Sequence, residues 1–413
     1  MPHLEFNALT LLLLQMLVIV LLSRVLALVT RRLGQPQVIA EVLAGIVLGP
    51  SLLGLFFPAL MTGLFPDSSL PALKLLSQFG LIFFMFLVGL EFDPALLRGR
   101  AKATLAISHG SIVVPFILGA GFGAALHSRL SSPEVPQLTF VLFCGIALSI
   151  TAFPVLARIL TERNLMQTRV GAIAIASAAV DDVTAWCLLA FVVAVARAQG
   201  LSSALWTCGL ALVFVALMLF VVRPFTRRLP RGEGELPAGT LVTCLVLLLA
   251  SAGASELIGI HALFGAFSFG AVLPKEGDFA KRLGKRLEVI ATVVLLPLFF
   301  AFSGLRTQLG LLGSVNDWLL TVGLIALATL GKYGAATVTA RVTGLSWKEA
   351  NAVGVLMNTR GLMELIVLNI GLDLGVISPT LFTMMVVMAL VTTVATTPWL
   401  WALGVGRDTP ASS

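Results

Sequence analysis

Ala174-Ile175-Ala176-Ser177-Ala178-Ala179-Val180-Asp181-Asp182-Val183-Thr184-Ala185-Trp186 sets two adjacent carboxylates in the middle of an otherwise apolar run. That run, 169–197, is long enough to cross a bilayer as a helix, which takes roughly 20 apolar residues. A carboxylate at the bilayer centre costs roughly 3 kcal/mol on insertion scales, so it is rarely carried without a function. Helical neighbours point about 100° apart, so one acid can face a cavity while the other faces a helix partner. The bland alternative is a structural ion pair inside the bundle, and a pair of acids argues against it more than either acid alone.

The rest of the chain has the same character. Of its 413 residues, 58% are hydrophobic and 11% are charged, against about 25% charged in a soluble domain. The surplus apolar surface must face lipid, so the bilayer is the first partner the sequence implies. The net charge of +7 does not indicate a nucleic-acid partner, because the basic residues fall in short loops between apolar runs and set orientation instead. Cys144, Cys187, Cys208 and Cys244 all lie inside apolar runs, with the spacing of neither a metal site nor a disulfide scaffold. Met1–Thr10 lacks the positive region of a cleavable signal, so the first run is read as a retained helix.

About thirteen spans are expected: 9–29, 36–56, 71–92, 103–127, 138–161, 169–197, 203–226, 237–254, 256–274, 286–305, 316–341, 348–372 and 378–403. Most of the 27 lysines and arginines fall on one side of this threading: Arg31 and Arg32; Arg98, Arg100 and Lys102; Arg163 and Arg169; Arg223, Arg227, Arg228 and Arg231; Lys275, Lys281, Arg282, Lys285 and Arg286; Arg341 and Lys348; and Arg407. The other side holds little beyond Arg129, Arg197 and Arg306. Positive loops stay in the cytoplasm, so the N-terminus is expected outside and the C-terminus inside.

The sequence repeats itself. Phe84, Gly89, Leu90, Leu96 and Leu97 recur as Phe299, Gly304, Leu305, Leu311 and Leu312, and Leu43-Ala44-Gly45 recurs as Leu263-Phe264-Gly265. Both matches lie an odd number of spans apart, so the copies have opposite orientation. Inverted repeats of this kind characterise secondary transporters. The polar stretch 230–237 is the expected joint between the halves.

Two further signals sit at matching places in the two copies. Ser149-Ile150-Thr151-Ala152-Phe153-Pro154 interrupts the fifth span, and Asn358-Thr359-Arg360-Gly361 interrupts the twelfth. Paired broken helices point to a transport site. Unwinding frees carbonyls that can hold a cation and exposes half-helix dipoles that need compensating charge. Arg360 and Glu364, spaced i,i+4, can supply it. A simple proline kink is the alternative, better for the fifth span alone than for both. Lys332, in Leu330-Gly331-Lys332-Tyr333-Gly334, is the evident partner for one aspartate, either as a constant salt bridge or as one that breaks when the aspartate takes a cation or proton. Glu41, Glu256 and His261 are read as interface or packing residues. His109 suits a proton relay and a structural hydrogen bond equally.

Asp181-Asp182 after its small-residue stretch, Thr151 to Pro154, Lys332, and the run from Asn358 to Asn369 resemble the second branch of the monovalent cation:proton antiporters, in its Kef-type bacterial and plant CHX-type forms. The resemblance covers about 9–403. It implies an all-α polytopic fold, a homodimer in the cell membrane (the inner membrane of a bacterium), no cofactor, and sodium or potassium as cargo exchanged for protons by an elevator-like movement. It implies a dimerisation domain made of 1–102 and 236–310, a transport core made of 103–200 and 311–413, and a linker at 201–235. Asp182 is then the main cation and proton ligand, with Asp181, Thr151 and Ser149 around it, Asp181 paired with Lys332, and Asn358, Thr359, Arg360 and Glu364 compensating the broken helices. By the same analogy the paired aspartates suggest electrogenic exchange of two protons.

Two features depart from the pattern. Relatives often carry Glu directly after Arg-Gly, where this chain has Leu362 and places its acid at Glu364. Kef-type proteins carry a nucleotide-binding regulatory domain after the last span. None is expected after residue 403 here, which counts against the alternative of a cation efflux channel subunit and leaves regulation to a separate subunit. A sodium-coupled carrier of an organic anion ranks last, because two acids at the site repel an anion. An enzyme is not expected, since no catalytic constellation is present.

Overall fold

The structure is a computed structural model that describes residues 7–91, 101–132, 134–166, 168–197, 201–229, 236–275 and 278–405. Arg98, Arg100, Arg231, Arg407, the repeat positions Leu96 and Leu97, and most of the 230–237 joint lie outside the described residues. Among the described residues all regular structure is helical. In chain order the helices are α1 (Ala8–Arg32), α2 (Gln37–Leu48), α3 (Leu53–Phe56), α4 (Pro58–Leu64), α5 (Leu70–Glu91), α6 (Ala101–Leu130), α7 (Gln137–Ser149), α8 (Phe153–Glu162), α9 (Arg169–Arg197) and α10 (Leu201–Leu217). They continue as α11 (Arg223–Arg227), α12 (Ala238–Ile258), α13 (Ala262–Val272), α14 (Phe279–Ile290), α15 (Leu296–Leu305), α16 (Val315–Val342), α17 (Trp347–Met357), α18 (Leu362–Asp373) and α19 (Pro379–Ala402).

Among the described residues, twelve stretches are long and apolar enough to cross a membrane, and α13 is a shorter apolar helix. The expected ninth span, 256–274, is the one that shortens. Gly259, at φ +96°, ends α12 in the left-handed conformation that glycine adopts without a steric penalty. Glu256 therefore belongs to α12. It pairs with Arg197 at 3.1 Å and accepts the Ala262 N–H at 2.8 Å, so it caps the start of α13.

On α1, Leu9, Leu13, Leu17, Leu21, Val25 and Leu28 are each more than half exposed. Apolar residues at this spacing form one continuous stripe, which water would penalise and lipid does not. The interrupted stretch Trp347–Asp373 is at the other extreme, with its whole apolar window buried inside the protein.

The chain packs as two compact units, one of Met1–Val20, Gly63–Ala95 and Ala190–Phe302, the other of Leu21–Thr62, Leu96–Leu189 and Ser303–Ser413. Within the first, Gly89 of α5 lies so close to α13 that a Cβ would overlap the Phe267 carbonyl. Within the second, Gly304 of α15 lies equally close to α2, against the Val42 carbonyl and the Gly45 Cα. These two glycines are matched by the sequence repeat, and each packs against the helix that carries the other repeated motif. Small residues at such crossings let helix backbones approach in the absence of a hydrophobic driving force.

Candidate functional site

Both interrupted spans are broken. α7 ends at Ser149, Ile150 is extended (φ −75°, ψ 138°), and α8 begins at Phe153 with Pro154 in its first turn. Proline is tolerated there because its missing N–H would have no helical partner in the first turn. α17 ends at Met357 and α18 begins at Leu362, with Gly361 between them at φ 146°, ψ −117°. Only glycine reaches that conformation without strain.

The two breaks touch. The Ala152 N–H donates to the Thr359 carbonyl at 3.0 Å, and the Thr151 hydroxyl reaches the Met357 carbonyl at 3.3 Å. The Thr393 hydroxyl of α19 accepts the Arg360 N–H at 3.2 Å and donates to the Arg360 carbonyl at 2.6 Å, satisfying both backbone groups of that residue.

The end of α7 is capped by two cations. Arg360 donates to the Ala147 carbonyl at 3.3 Å and the Leu148 carbonyl at 2.8 Å. Lys332 of α16 donates to the Ser149 carbonyl and to the Ser111 carbonyl at 2.9 Å. Unpaired carbonyls and the negative end of the helix dipole both favour positive charge at this point.

Lys332 also lies 3.0 Å from Asp181, with both side chains fully buried. Asp181 accepts from Ser108 at 2.6 Å, Ser111 at 3.0 Å and Thr151 at 2.7 Å. Asp182, 3% exposed, has no hydrogen-bond partner on either oxygen. A buried carboxylate without partners carries a large desolvation penalty, so this position favours anything that supplies positive charge.

Among the other candidates, Ser149 donates its hydroxyl to the Ile146 carbonyl at 2.9 Å. Glu364 sits 3.4 Å from Arg360 without a hydrogen bond, and the Asn358 Oδ1 and Thr359 Oγ1 are buried and unpartnered. Glu41 is buried on α2 and accepts from Gln37 at 2.8 Å. His109 is exposed and bonds the Leu105 carbonyl within its own helix.

Sequence reasoning passed over four contributors. Ser108 and Ser111, i,i+3 on α6, are the main hydroxyl partners of Asp181, and hydroxyls one turn apart in an apolar span were the available signal. Thr393 belongs to a run of threonines on α19. Arg306 joins Asp373 at 2.8 Å and Asn369 at 2.9 Å, a link with no local sequence signature.

An all-helical chain with a dozen candidate spans, two broken helices that meet, and a bare buried carboxylate beside the junction defines a polytopic secondary transporter. The family model described as "Sodium/hydrogen exchanger, transmembrane" matches residues 17–402, and the chain belongs to that family. It is 45% identical over 398 residues to the Na(+)/H(+) antiporter NhaS4 of Synechocystis, covering 95% of this chain and 97% of that protein. It is 44% identical to the Cation/H(+) antiporter 17 of Arabidopsis thaliana, covering 96% of this chain and 49% of the plant protein. It is 36% identical to the K(+)/H(+) antiporter 1 of Saccharomyces cerevisiae, covering 95% of this chain and 46% of the yeast protein. The chain thus spans about half the length of these plant and yeast relatives. In fold it is similar to the sodium proton antiporter MjNhaP1 of Methanocaldococcus jannaschii, with a TM-score of 0.66 at 15% identity, covering 97% and 99% of the two chains.

Proposed function

We propose that this protein exchanges sodium or potassium for protons across the membrane, and that Asp182 is the group that carries either one. The observation that supports this reading best is the bare, buried carboxylate of Asp182 beside an Asp181 that has a donor on each oxygen and Lys332 as its ion-pair partner. A site that holds a proton or a cation, and never both, yields antiport once access alternates between the two sides. Thr151 and the free oxygens of Asn358 and Thr359 are the polar groups that the broken helices add.

In this reading the transport core, 103–200 and 311–413, carries the site through an elevator-like movement, while 1–102 and 236–310 form the dimerisation part of a homodimer and 201–235 links the two. The lysine and arginine bias supports an external N-terminus and a cytoplasmic C-terminus in a cell membrane. Relatives named for sodium and for potassium both lie close to this chain, and both ions suit oxygen ligands.

Purified protein in liposomes, loaded with a pH reporter and given lithium, sodium, potassium or rubidium gradients in turn, tests the proposal. Proton movement driven by at least one of these cations is expected. Its absence with all four overturns the reading.

A further inference from the structure

Two buried groups one helical turn apart on α9 are left without hydrogen bonds, and they are complementary. Asp182, 3% exposed, has two free acceptor oxygens. Trp186, 4% exposed, has a free donor, its indole N–H. A buried indole N–H usually finds a partner, because leaving one unpaired carries its full desolvation penalty. Positions i and i+4 share one face of a helix, and α9 is continuous from Arg169 to Arg197. Long helical side chains lean back over the preceding turn. The indole of Trp186 therefore lies over the turn that carries Asp182. No direct hydrogen bond joins the two, so the gap between them calls for a bridge.

Chemistry limits what the bridge can be. An N–H cannot ligate a cation, so Trp186 does not act on the cargo by contact. A water joins all three parties. Its oxygen accepts the indole N–H, one of its hydrogens goes to an Asp182 oxygen, and its second lone pair stays free for a cation. Water-mediated bonds of this kind are nearly as favourable as direct ones, and the donor and the two acceptors supply the polar partners that a buried water needs.

We propose that Trp186 is a positioning residue that holds a water on Asp182, and that this water is one of the ligands of the cargo cation. The cation then enters the site without giving up its whole hydration shell. Ion–oxygen attraction grows as the distance shrinks, so a held water is worth more to lithium and sodium than to the larger potassium and rubidium. Trp186 thus tilts selection toward the smaller cations by setting the number of oxygen ligands. The inference rests on the reading of Asp182 as the cargo site.

The test uses the whole protein in liposomes at one fixed pH, with apparent Km and maximal rate measured for lithium, sodium, potassium and rubidium. Trp186→Phe keeps an aromatic ring and removes the N–H. The apparent Km should rise more for the smaller cations, with maximal rates close to those of the parent. The ratio of Km for sodium to Km for potassium should rise roughly fivefold, the size of one hydrogen bond. Where the parent does not carry both, the ratio is read between the smallest and largest cations it carries, or as the Km itself for a single cation. An equal change for every cation, no change, or a larger rise for the larger cations overturns the inference and leaves Trp186 as a packing residue only. Benzothienylalanine placed at position 186 alone keeps the shape of the indole and puts sulfur where the N–H was. It should reproduce the shift, and a parental ratio in this variant overturns the inference whatever Trp186→Phe does, including a failure to fold. Absence of proton movement in the parent with all four cations overturns the antiport reading and this inference together.

Discussion

The two broken spans share a break but not a treatment of it. Where α7 stops, two cations from other segments, Lys332 and Arg360, sit on its last carbonyls. Where α17 stops, the neighbouring groups are neutral: the Ala152 N–H donates to the Thr359 carbonyl, and the Thr151 hydroxyl, shared between Asp181 at 2.7 Å and the Met357 carbonyl at 3.3 Å, is the other. The starts of the second half-helices also differ. α18 holds an acid of its own, Glu364, in its first turn, whereas the first turn of α8 has none. An inverted repeat thus supplies two equivalent openings in the backbone, and side chains from elsewhere make one of them cationic, braced and beside the bare carboxylate. Repetition provides the architecture; departure from repetition provides the site.

The largest way to break this comparison is to remove the bare carboxylate. Asp182→Asn should leave a folded protein that elutes as the parent does, with cation-driven proton movement reduced to the liposome background. Undiminished exchange in this variant would remove Asp182 from the mechanism. Next in size is the brace. Lys332→Ala leaves Asp181 buried without its cation and strips one cap from α7, and breaking a buried pair costs about 3–5 kcal/mol. A clear fall in thermal midpoint in detergent is expected, and an unshifted midpoint would mean that the first break needs no cation.

The second break is held by backbone conformation rather than by charge, so its weak point is Gly361. Gly361→Ala forces a β-carbon into φ 146° with Val155 3.2 Å away, a strain of about 1–3 kcal/mol. The loss of stability should be measurable and smaller than for Lys332→Ala. The reverse order would show that conformation matters more than charge at these junctions. The mildest test changes only pH. If proton and cation compete for Asp182, the apparent Km for the cation should fall about tenfold per pH unit while protons hold the site, then level off as they cease to compete. A Km indifferent to pH across the active range would separate the two ions into different sites.

The sequence made the main lines of the fold legible because the bilayer leaves few alternatives. An apolar run of this length must be a helix there, since lipid offers no partner for open backbone. Proline at 154 and glycine at 361 marked the breaks for local steric reasons. The ninth span starts later than expected because its boundary depends on one residue, Gly259, turning left-handed at the end of α12, which hydropathy does not register. Ser108 and Ser111 were passed over for a different reason. A serine in an apolar helix most often returns its hydroxyl to its own backbone, and only the arrival of α9 gives these two a carboxylate to hold.

What the sequence by itself determined is the membrane-spanning class, the position of the two breaks, and which few charged residues had to be accounted for, because burying each of them in lipid is costly. What only the tertiary structure decided is how that cost is met. Asp181 and Asp182 are the same residue type at adjacent positions on one helix, and nothing local separates them. One points to α6, α16 and the break after α7, where four donors meet it; the other points to a place where none does. A helix turns neighbouring side chains about 100° apart, and the fold decides what lies in each direction.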